Sequence, residues 1–383
     1  MDFLIEAIQQ VTWQQAVMWV IGFVLIYLAI KKEMEPALLL PMGFGAILVN
    51  IPLSNVLHEY ILVLENGEWI YKLQSQGIIQ WLFEIGIKAS EALPILLFIG
   101  IGAMIDFGPL ISNPKLMILG AFAQLGIFLT IILASLLGFD INDAASIGII
   151  GAADGPTSIL VATKLGSNYL GPIMVVAYSY MALVPIIQPV VIKAITTKKE
   201  RLIRMDRTSK EVSKTVKILF PIVITLTAGL IAPKSLALVG FLMFGNLLSE
   251  CGVLGSLADT AKNQLANLIT LLLGITVAFQ MRAEEFLKVE TLMIMGLGLF
   301  AFVFDTVGGV MCAKVMNLFS KNKINPMVGA AGISAFPMSA RVVHKMGLKE
   351  DNSNYLLMHA VGANVSGQIA SAVVGGLIIG LVM

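Results

Sequence analysis

The run Gly151-Ala152-Ala153-Asp154-Gly155-Pro156-Thr157-Ser158 places one ionisable carboxylate among helix breakers and hydroxyl side chains, inside otherwise apolar sequence. In a bilayer interior an ionised Asp costs about 2.5–3.5 kcal/mol on insertion scales unless it faces a protein-lined cavity or meets a cation. Gly and Pro add to that cost, because they release backbone amides and carbonyls that lipid cannot satisfy. Carboxylate, hydroxyl and freed carbonyl oxygens together suit sodium or a proton better than any transition metal. The alternative is a kinked helix enclosing a buried, neutral Asp.

A second interrupted run answers the first. Gly329-Ala330-Ala331-Gly332 is followed by Ser334, Pro337 and Ser339, as Gly151 to Asp154 is followed by Pro156, Thr157 and Ser158. Upstream, Asp106 in Ile105-Asp106-Phe107-Gly108 has a looser counterpart in Asp305 of Phe304-Asp305-Thr306. Interrupted segments at corresponding positions of two halves are the sequence mark of a midplane binding site in transporters built from repeats. If the repeats are inverted, the two segments enter from opposite faces and meet near the centre. Half-helix N-termini there favour an anion, and unwound carbonyls, hydroxyls and Asp154 favour a small cation.

The elements that must position these residues are helices in a membrane. Of the 383 residues 57% are hydrophobic and 13% charged, against about 25% charged in soluble domains, which excludes a soluble globular protein. Apolar runs of spanning length fall near 13–30, 37–53, 92–111, 116–139, 170–194, 218–232, 236–248, 264–279, 291–316 and 355–382. Two pieces rich in helix breakers, 143–165 and 324–341, read as re-entrant. The expected architecture is an all-α polytopic protein of two inverted repeats, 1–192 and 218–383, with an elevator-like arrangement. The segment 193–217 carries nine Lys and Arg against three acids and reads as a cytoplasmic linker, either a topogenic signal alone or a dock for a cytosolic partner.

Other chemistries find no support in the chain. A formal net charge of +1 leaves no nucleic-acid footprint. Cys251 and Cys312 lack metal or redox spacing, and His58, His344 and His359 lack ligand spacing. Phosphate-binding and dinucleotide glycine motifs are missing. The first 15 residues contain acids and no secretory cleavage pattern. The polar residues of the last helix, His359, Asn364, Ser366 and Gln368, read as helix-to-helix hydrogen bonds.

Four motifs in order give the chain a resemblance to a known family. They are Gly102 to Leu110 (GAMIDFGPL), Gly151 to Ser158, Tyr178 to Pro189 (YSYMALVPIIQP), and Asn325-Pro326 through Ser339-Ala340-Arg341. Together they resemble the beta subunit of the biotin-dependent, sodium-pumping decarboxylases of oxaloacetate, methylmalonyl-CoA, glutaconyl-CoA or malonate. The resemblance implies a membrane subunit that receives carboxybiotin from a carrier domain, releases carbon dioxide, takes up a proton and exports Na+. It implies as partners a carboxyltransferase alpha subunit, a biotin carrier domain and a small single-helix membrane subunit, in an oligomeric assembly in the cytoplasmic (inner) membrane.

The same resemblance places functional positions one at a time. The family's re-entrant aspartate falls on Asp154, the implied Na+ ligand; as an anionic oxygen it can be displaced by a proton. Its tyrosine falls on Tyr180, with Tyr178 one step away on the opposite side, as a cation ligand or proton donor, although an interfacial anchor is the other reading; Tyr178 and the Thr157 hydroxyl after Asp154 are further candidates. Its asparagine, glycine, serine and arginine fall on Asn325, Gly329, Ser334 and Arg341. Asn325 and Ser334 offer neutral oxygens, Gly329 permits close backbone approach, and Arg341, with Ser334, would hold carboxybiotin. Arg341 also reads as a positive-inside residue, and Asn325 before Pro326 as a helix-start cap. Asp305 is open between an ion site and a neutral buried acid. Two other classes of function use the same features: a secondary Na+-coupled organic-acid transporter without chemistry of its own, and a non-transporting anchor for a soluble enzyme.

Overall fold

The computed structural model describes residues 8–65, 68–205 and 212–383. Asp206 to Glu211, the middle of the expected basic linker, lies outside the described residues. Among the described residues seven helices are long and apolar enough to cross a membrane: Trp13–Lys32, Leu116–Leu136, Leu170–Ile195, Lys214–Ile231, Gly255–Met281, Val289–Phe319 and Leu357–Val382. The number becomes eight if Ile78–Ala89 and Ala92–Met104 are one interrupted span. Of the ten expected runs, 37–53 and 236–248 form the shorter helices Pro36–Val49 and Leu236–Glu250.

One element departs from the all-helical expectation. Glu59–Glu65 and Glu68–Ser75 form an antiparallel hairpin, with Leu62 opposite Tyr71 and Val63 opposite Ile70. The cause is legible afterwards: both strands are rich in Ile, Val, Trp and Tyr, and Asn66-Gly67 between them is the strongest short hairpin signal in a sequence. A search for apolar runs of spanning length passes over segments of seven and eight residues.

The chain divides into two compact units, one comprising residues up to Pro94 with Asn267–Leu292, the other Ile95–Ala266 with Met293–Met383. In the first, the Thr12 hydroxyl and the Gln15 side chain cap the start of Trp13–Lys32 reciprocally. Asn50 binds the unit together: its amide donates to the carbonyls of Ala46 and Met281, both at 2.8 Å, and its oxygen accepts from the Ala283 amide at 2.8 Å.

The second unit holds both interrupted segments. Its core includes Phe98, Phe107, Leu116, Leu119, Ile127, Phe302, Val328, Ile333 and Ile369. Small residues let backbones touch: Gly309 and Gly329 each abut the other's carbonyl, and Gly367 abuts the carbonyl of Gly332, so a Cβ at any of these positions meets backbone. Without a hydrophobic drive between helices in lipid, such close packing is what holds them. The second interrupted segment is thereby fixed against Val289–Phe319 and Leu357–Val382.

Candidate functional site

The first interruption is built by a sequence of local choices. Helix Ile141–Gly148 tightens into the 3-10 turn Ile149–Ala152, Ala153 takes a left-handed conformation at φ 51°, and the chain restarts as helix Gly155–Lys164. Asp154 is the N-cap of that helix, the role its short acceptor side chain serves best, and Pro156 sits in the first turn, where its missing N–H costs nothing. The Asp154 carboxylate, 3% exposed, accepts the Thr157 hydroxyl at 2.7 Å and the Ser371 hydroxyl at 3.2 Å on Oδ2, with the Thr157 amide at 3.5 Å from Oδ1. Ser158 donates to the Asp154 backbone carbonyl at 2.9 Å.

The second interruption follows helix Met327–Ala330 and ends where helix Met338–Glu350 begins. Between them the carbonyls of Gly332, Ile333 and Ser334 receive no backbone amide, and side-chain amides take that place. Gln124 donates to the Gly332 carbonyl at 3.4 Å, Asn364 to that of Ile333 at 2.6 Å, and Gln368 to that of Ser334. Gln188 donates to the Ala330 carbonyl at 2.7 Å. The oxygens of Gln124, Asn364 and Gln368 are buried and receive no hydrogen bond, whereas the Gln188 oxygen accepts from Ser339 at 3.0 Å. Three amides thus neutralise three consecutive carbonyls and leave three neutral oxygens free.

The two interruptions touch. The Ser334 amide donates to the Ala152 carbonyl at 3.0 Å, two residues before Asp154. The last helix, Leu357–Val382, spans both: Asn364, Gly367 and Gln368 meet the second segment, and Ser371 and Gly375 meet Asp154 and Thr157 of the first. Spacings of three and four residues keep all five on one face. The expected helix-to-helix role of Asn364 and Gln368 is therefore replaced by contacts with non-helical backbone. Ser371 was not expected at all, although its spacing from Asn364 and Gln368 in an apolar helix was the available signal.

Of the residues expected at the site, the structure brings together Asp154, Thr157 and Ser334, whereas Gly329 packs on Gly309 from the short helix before the second interruption. The phenol beside Asp154 is that of Tyr178: its ring covers Gly155 so closely that a Cβ there meets the ring carbons, and its buried hydroxyl has no partner. Tyr180 instead faces Gly298 and donates to the Met295 carbonyl. Two positions apart on a helix are about 200° apart around its axis, so the two rings point to different neighbours. Ser334 is 1% exposed and its hydroxyl donates to the Gly367 carbonyl at 2.9 Å, which leaves it away from any surface-bound substrate.

Three expected residues lie elsewhere. Asn325 donates to the carbonyls of Arg201 at 2.9 Å and Ile203 at 2.8 Å and accepts the Met327 amide at 3.0 Å, the capping alternative. Arg341 is exposed on Met338–Glu350. Asp106 is exposed, accepts the Gly108 amide at 2.8 Å and pairs with Lys217 at 3.4 Å. Asp305 is buried beside the first interruption, against Gly151.

The chain has close relatives. The profile of the Na+-transporting oxaloacetate decarboxylase beta subunit matches residues 14–382. The methylmalonyl-CoA decarboxylase subunit beta of Propionigenium modestum is 51% identical over 377 residues, covering 95% of this chain and 94% of that protein. The glutaconyl-CoA decarboxylase subunit beta of Acidaminococcus fermentans is 46% identical over 97% of this chain and 94% of that protein. The probable oxaloacetate decarboxylase beta chain of Vibrio cholerae is 43% identical over 97% and 96%. A matched profile over nearly the whole length and these identities show that the chain belongs to the beta-subunit family of the Na+-transporting decarboxylases.

Proposed function

We propose that this subunit releases carbon dioxide from carboxybiotin, presented by a separate carrier domain, and couples that release to Na+ export. The observation that carries the reading is one buried carboxylate, Asp154, at the first interruption, together with the unpaired amide oxygens of Gln124, Asn364 and Gln368 on the helices that hold the second, the two interruptions being joined by the Ser334 to Ala152 hydrogen bond. An anion with several neutral oxygens is the donor set of a hard monovalent cation. Hydroxyls of Thr157 and Ser371 already aim at Oδ2 and hold the carboxylate in place.

In this mechanism Na+ occupies the oxygens around Asp154 and Ser334 while the site is open to the cytoplasm. The carboxylate of carboxybiotin is held by Arg341, whose exposed planar fork suits it. Loss of carbon dioxide leaves a biotin nitrogen that takes up one proton. A proton entering from the far side would bind Asp154 and displace Na+ there, because a neutral carboxyl is a poor cation ligand, and its later release toward the cytoplasmic side would supply the proton that biotin consumes. The Tyr178 hydroxyl, packed on Gly155, is placed to pass that proton. Export of one charge against 100 mV costs about 2.3 kcal/mol, so decarboxylation without bound Na+ must be slow.

The wider arrangement belongs to the same proposal: two inverted repeats meeting at the interruptions, an elevator-like motion, the 193–217 linker facing the cytoplasm, and assembly with a carboxyltransferase alpha subunit, the carrier domain and a small single-helix subunit in the cytoplasmic membrane. The paired interruptions and their contact support it. Proteoliposomes holding the subunit test the coupling. Carboxybiotin should lose carbon dioxide only with Na+ present and drive Na+ into the vesicles, with both lost in Asp154→Asn. Na+ movement driven by an organic acid without carbon dioxide release would establish the secondary transporter instead.

A further inference from the structure

Among the described residues the second unit buries three acids, and they are not alike. Asp143 is met on both oxygens, by Ser167 at 2.7 Å and the amide of Asn168 at 2.9 Å on Oδ1 and by the Asn168 side chain at 3.1 Å on Oδ2. Asp154 is likewise met on both. Asp305 is fully buried and is met on one only. Its Oδ1 accepts the backbone amide of Ile127 at 3.2 Å, in the first turn of Leu125–Leu136, with Gly126 packed against the same oxygen. Its Oδ2 has no partner. That oxygen faces the first interruption: a Cβ on Gly151 would lie 2.5 Å from it.

A buried polar atom without a partner requires an explanation, and a bare carboxylate oxygen turned into carbon is the costliest kind. We propose that Asp305 is a second, proton-binding site of this subunit: Oδ2 carries a proton while the Ile149–Ala152 turn is packed on it and gives it to water when that turn moves away. Sodium does not fit there, since the Gly151 position facing Oδ2 also meets Ala301 rather than further oxygens. The elements packed on Asp305 present Gly126, Ile127 and Gly151, with Ala301 on its own helix. None of these titrates, and no other charged group acts on Asp305 among the described residues. The nearest acid along the packed turn is Asp154, three residues beyond Gly151.

The placement gives the proton a role in the pump, and in that respect the inference rests on the proposed function. Asp154 ends the turn whose Gly151 covers Asp305, so occupancy of one end and protonation at the other bear on the same short piece of backbone. A turn held by Na+ and by Ser334 keeps Asp305 covered. Displacement of the turn uncovers it.

Infrared difference spectroscopy on the whole subunit in proteoliposomes, in H2O and D2O, tests this. The wild type should show a protonated-carboxyl band that shifts in D2O and is lost in Asp305→Asn, where the amide oxygen still accepts from Ile127. The band should survive Asp154→Asn. An unchanged band in Asp305→Asn, or its loss in Asp154→Asn alone, overturns the assignment. If Asp305→Asn fails to fold, Gly151→Ala serves, since a Cβ against Oδ2 must shift the band; no shift overturns the proposal. Vesicles that release carbon dioxide without Na+ uptake would sink the pump reading while leaving the band where it is.

Discussion

The backbone amide of Ser334 donates to the carbonyl of Ala152 at 3.0 Å, and this one bond closes two gaps in regular structure at once. Ala152 ends a 3-10 turn and Ser334 lies in the non-helical stretch before Met338–Glu350. Neither group has a helical partner, and lipid offers none. Each interruption therefore depends on the other, and Asp154, two residues from Ala152, inherits its position from both.

The hydroxyls on Asp154 should set the affinity for Na+. Thr157→Val removes a 2.7 Å hydrogen bond to Oδ2 and keeps the shape of the side chain. A hydrogen bond to a charged group is worth about 1.5–3 kcal/mol, so the Na+ concentration for half-maximal decarboxylation should rise about tenfold or more. Ser371→Ala, at 3.2 Å, should have the smaller effect. Titration of carbon dioxide release with Na+ measures both; an unchanged midpoint in Thr157→Val would place the cation elsewhere.

Gly155 admits Tyr178, and no other residue does. Gly155→Ala puts a methyl into the Tyr178 ring, which is buried and cannot swing away. Overpacking of this kind costs about 1–3 kcal/mol and should displace the ring from Asp154. Tyr178→Phe keeps the ring and removes only an unpartnered hydroxyl, so thermal unfolding in detergent should be nearly unchanged while Na+-dependent turnover drops severalfold. Equal turnover in Tyr178→Phe and the wild type would remove the phenol from the proton path.

The sequence made the helices and the two interruptions legible, because apolar length and clustered Gly, Pro and Asp are local signals. It did not show which phenol faces Asp154: Tyr178 and Tyr180 sit in one helix, and only the packing of Gly155 and Gly298 against them decides. Asn325 was equally ambiguous, since an Asn before Pro suits a ligand and a cap, and the linker carbonyls of Arg201 and Ile203 that it binds lie far off in sequence. The hairpin was missed for length alone. The row of amides on the carbonyls of Gly332, Ile333 and Ser334 draws on Gln124, Asn364 and Gln368 from two helices, a combination that no single stretch of sequence displays.

Those amides should separate structure from ion binding. Gln368→Ala uncaps the Ser334 carbonyl and should lower stability by about 1–3 kcal/mol, whereas Gln188→Ala removes one of two donors to the Ala330 carbonyl, the Ser339 hydroxyl remaining at 3.2 Å, and should cost less. Only Gln368 has a free oxygen, since Ser339 occupies that of Gln188. The half-maximal Na+ concentration should therefore rise about tenfold in Gln368→Ala and stay at the wild-type value in Gln188→Ala. Isothermal titration with Na+ on the purified subunit distinguishes them, and matching shifts in both variants would show that the oxygens take no part.

Two arginines within the 193–217 segment should differ sharply although both form pairs at 2.6 Å. Arg201 is nearly enclosed: it holds Glu350 and the carbonyl of Thr196, and its own carbonyl is bound by Asn325 and Asn354. Arg201→Ala leaves Glu350 shielded without its cation, at a cost of about 3 kcal/mol, and loosens the start of the second interruption through Asn325. Arg204 is 65% exposed, and Arg204→Ala should leave the thermal midpoint unmoved at physiological salt. The Arg204 hydrogen bond holds the Asp351 carboxyl below its usual range, so whatever this pair contributes is present above that range and fades as pH falls through the lowered value. Thermal midpoints of the two variants measured from neutral to acidic pH decide the matter: a larger loss for Arg204→Ala at neutral pH would mean that the exposed pair, and not the enclosed one, fastens the linker.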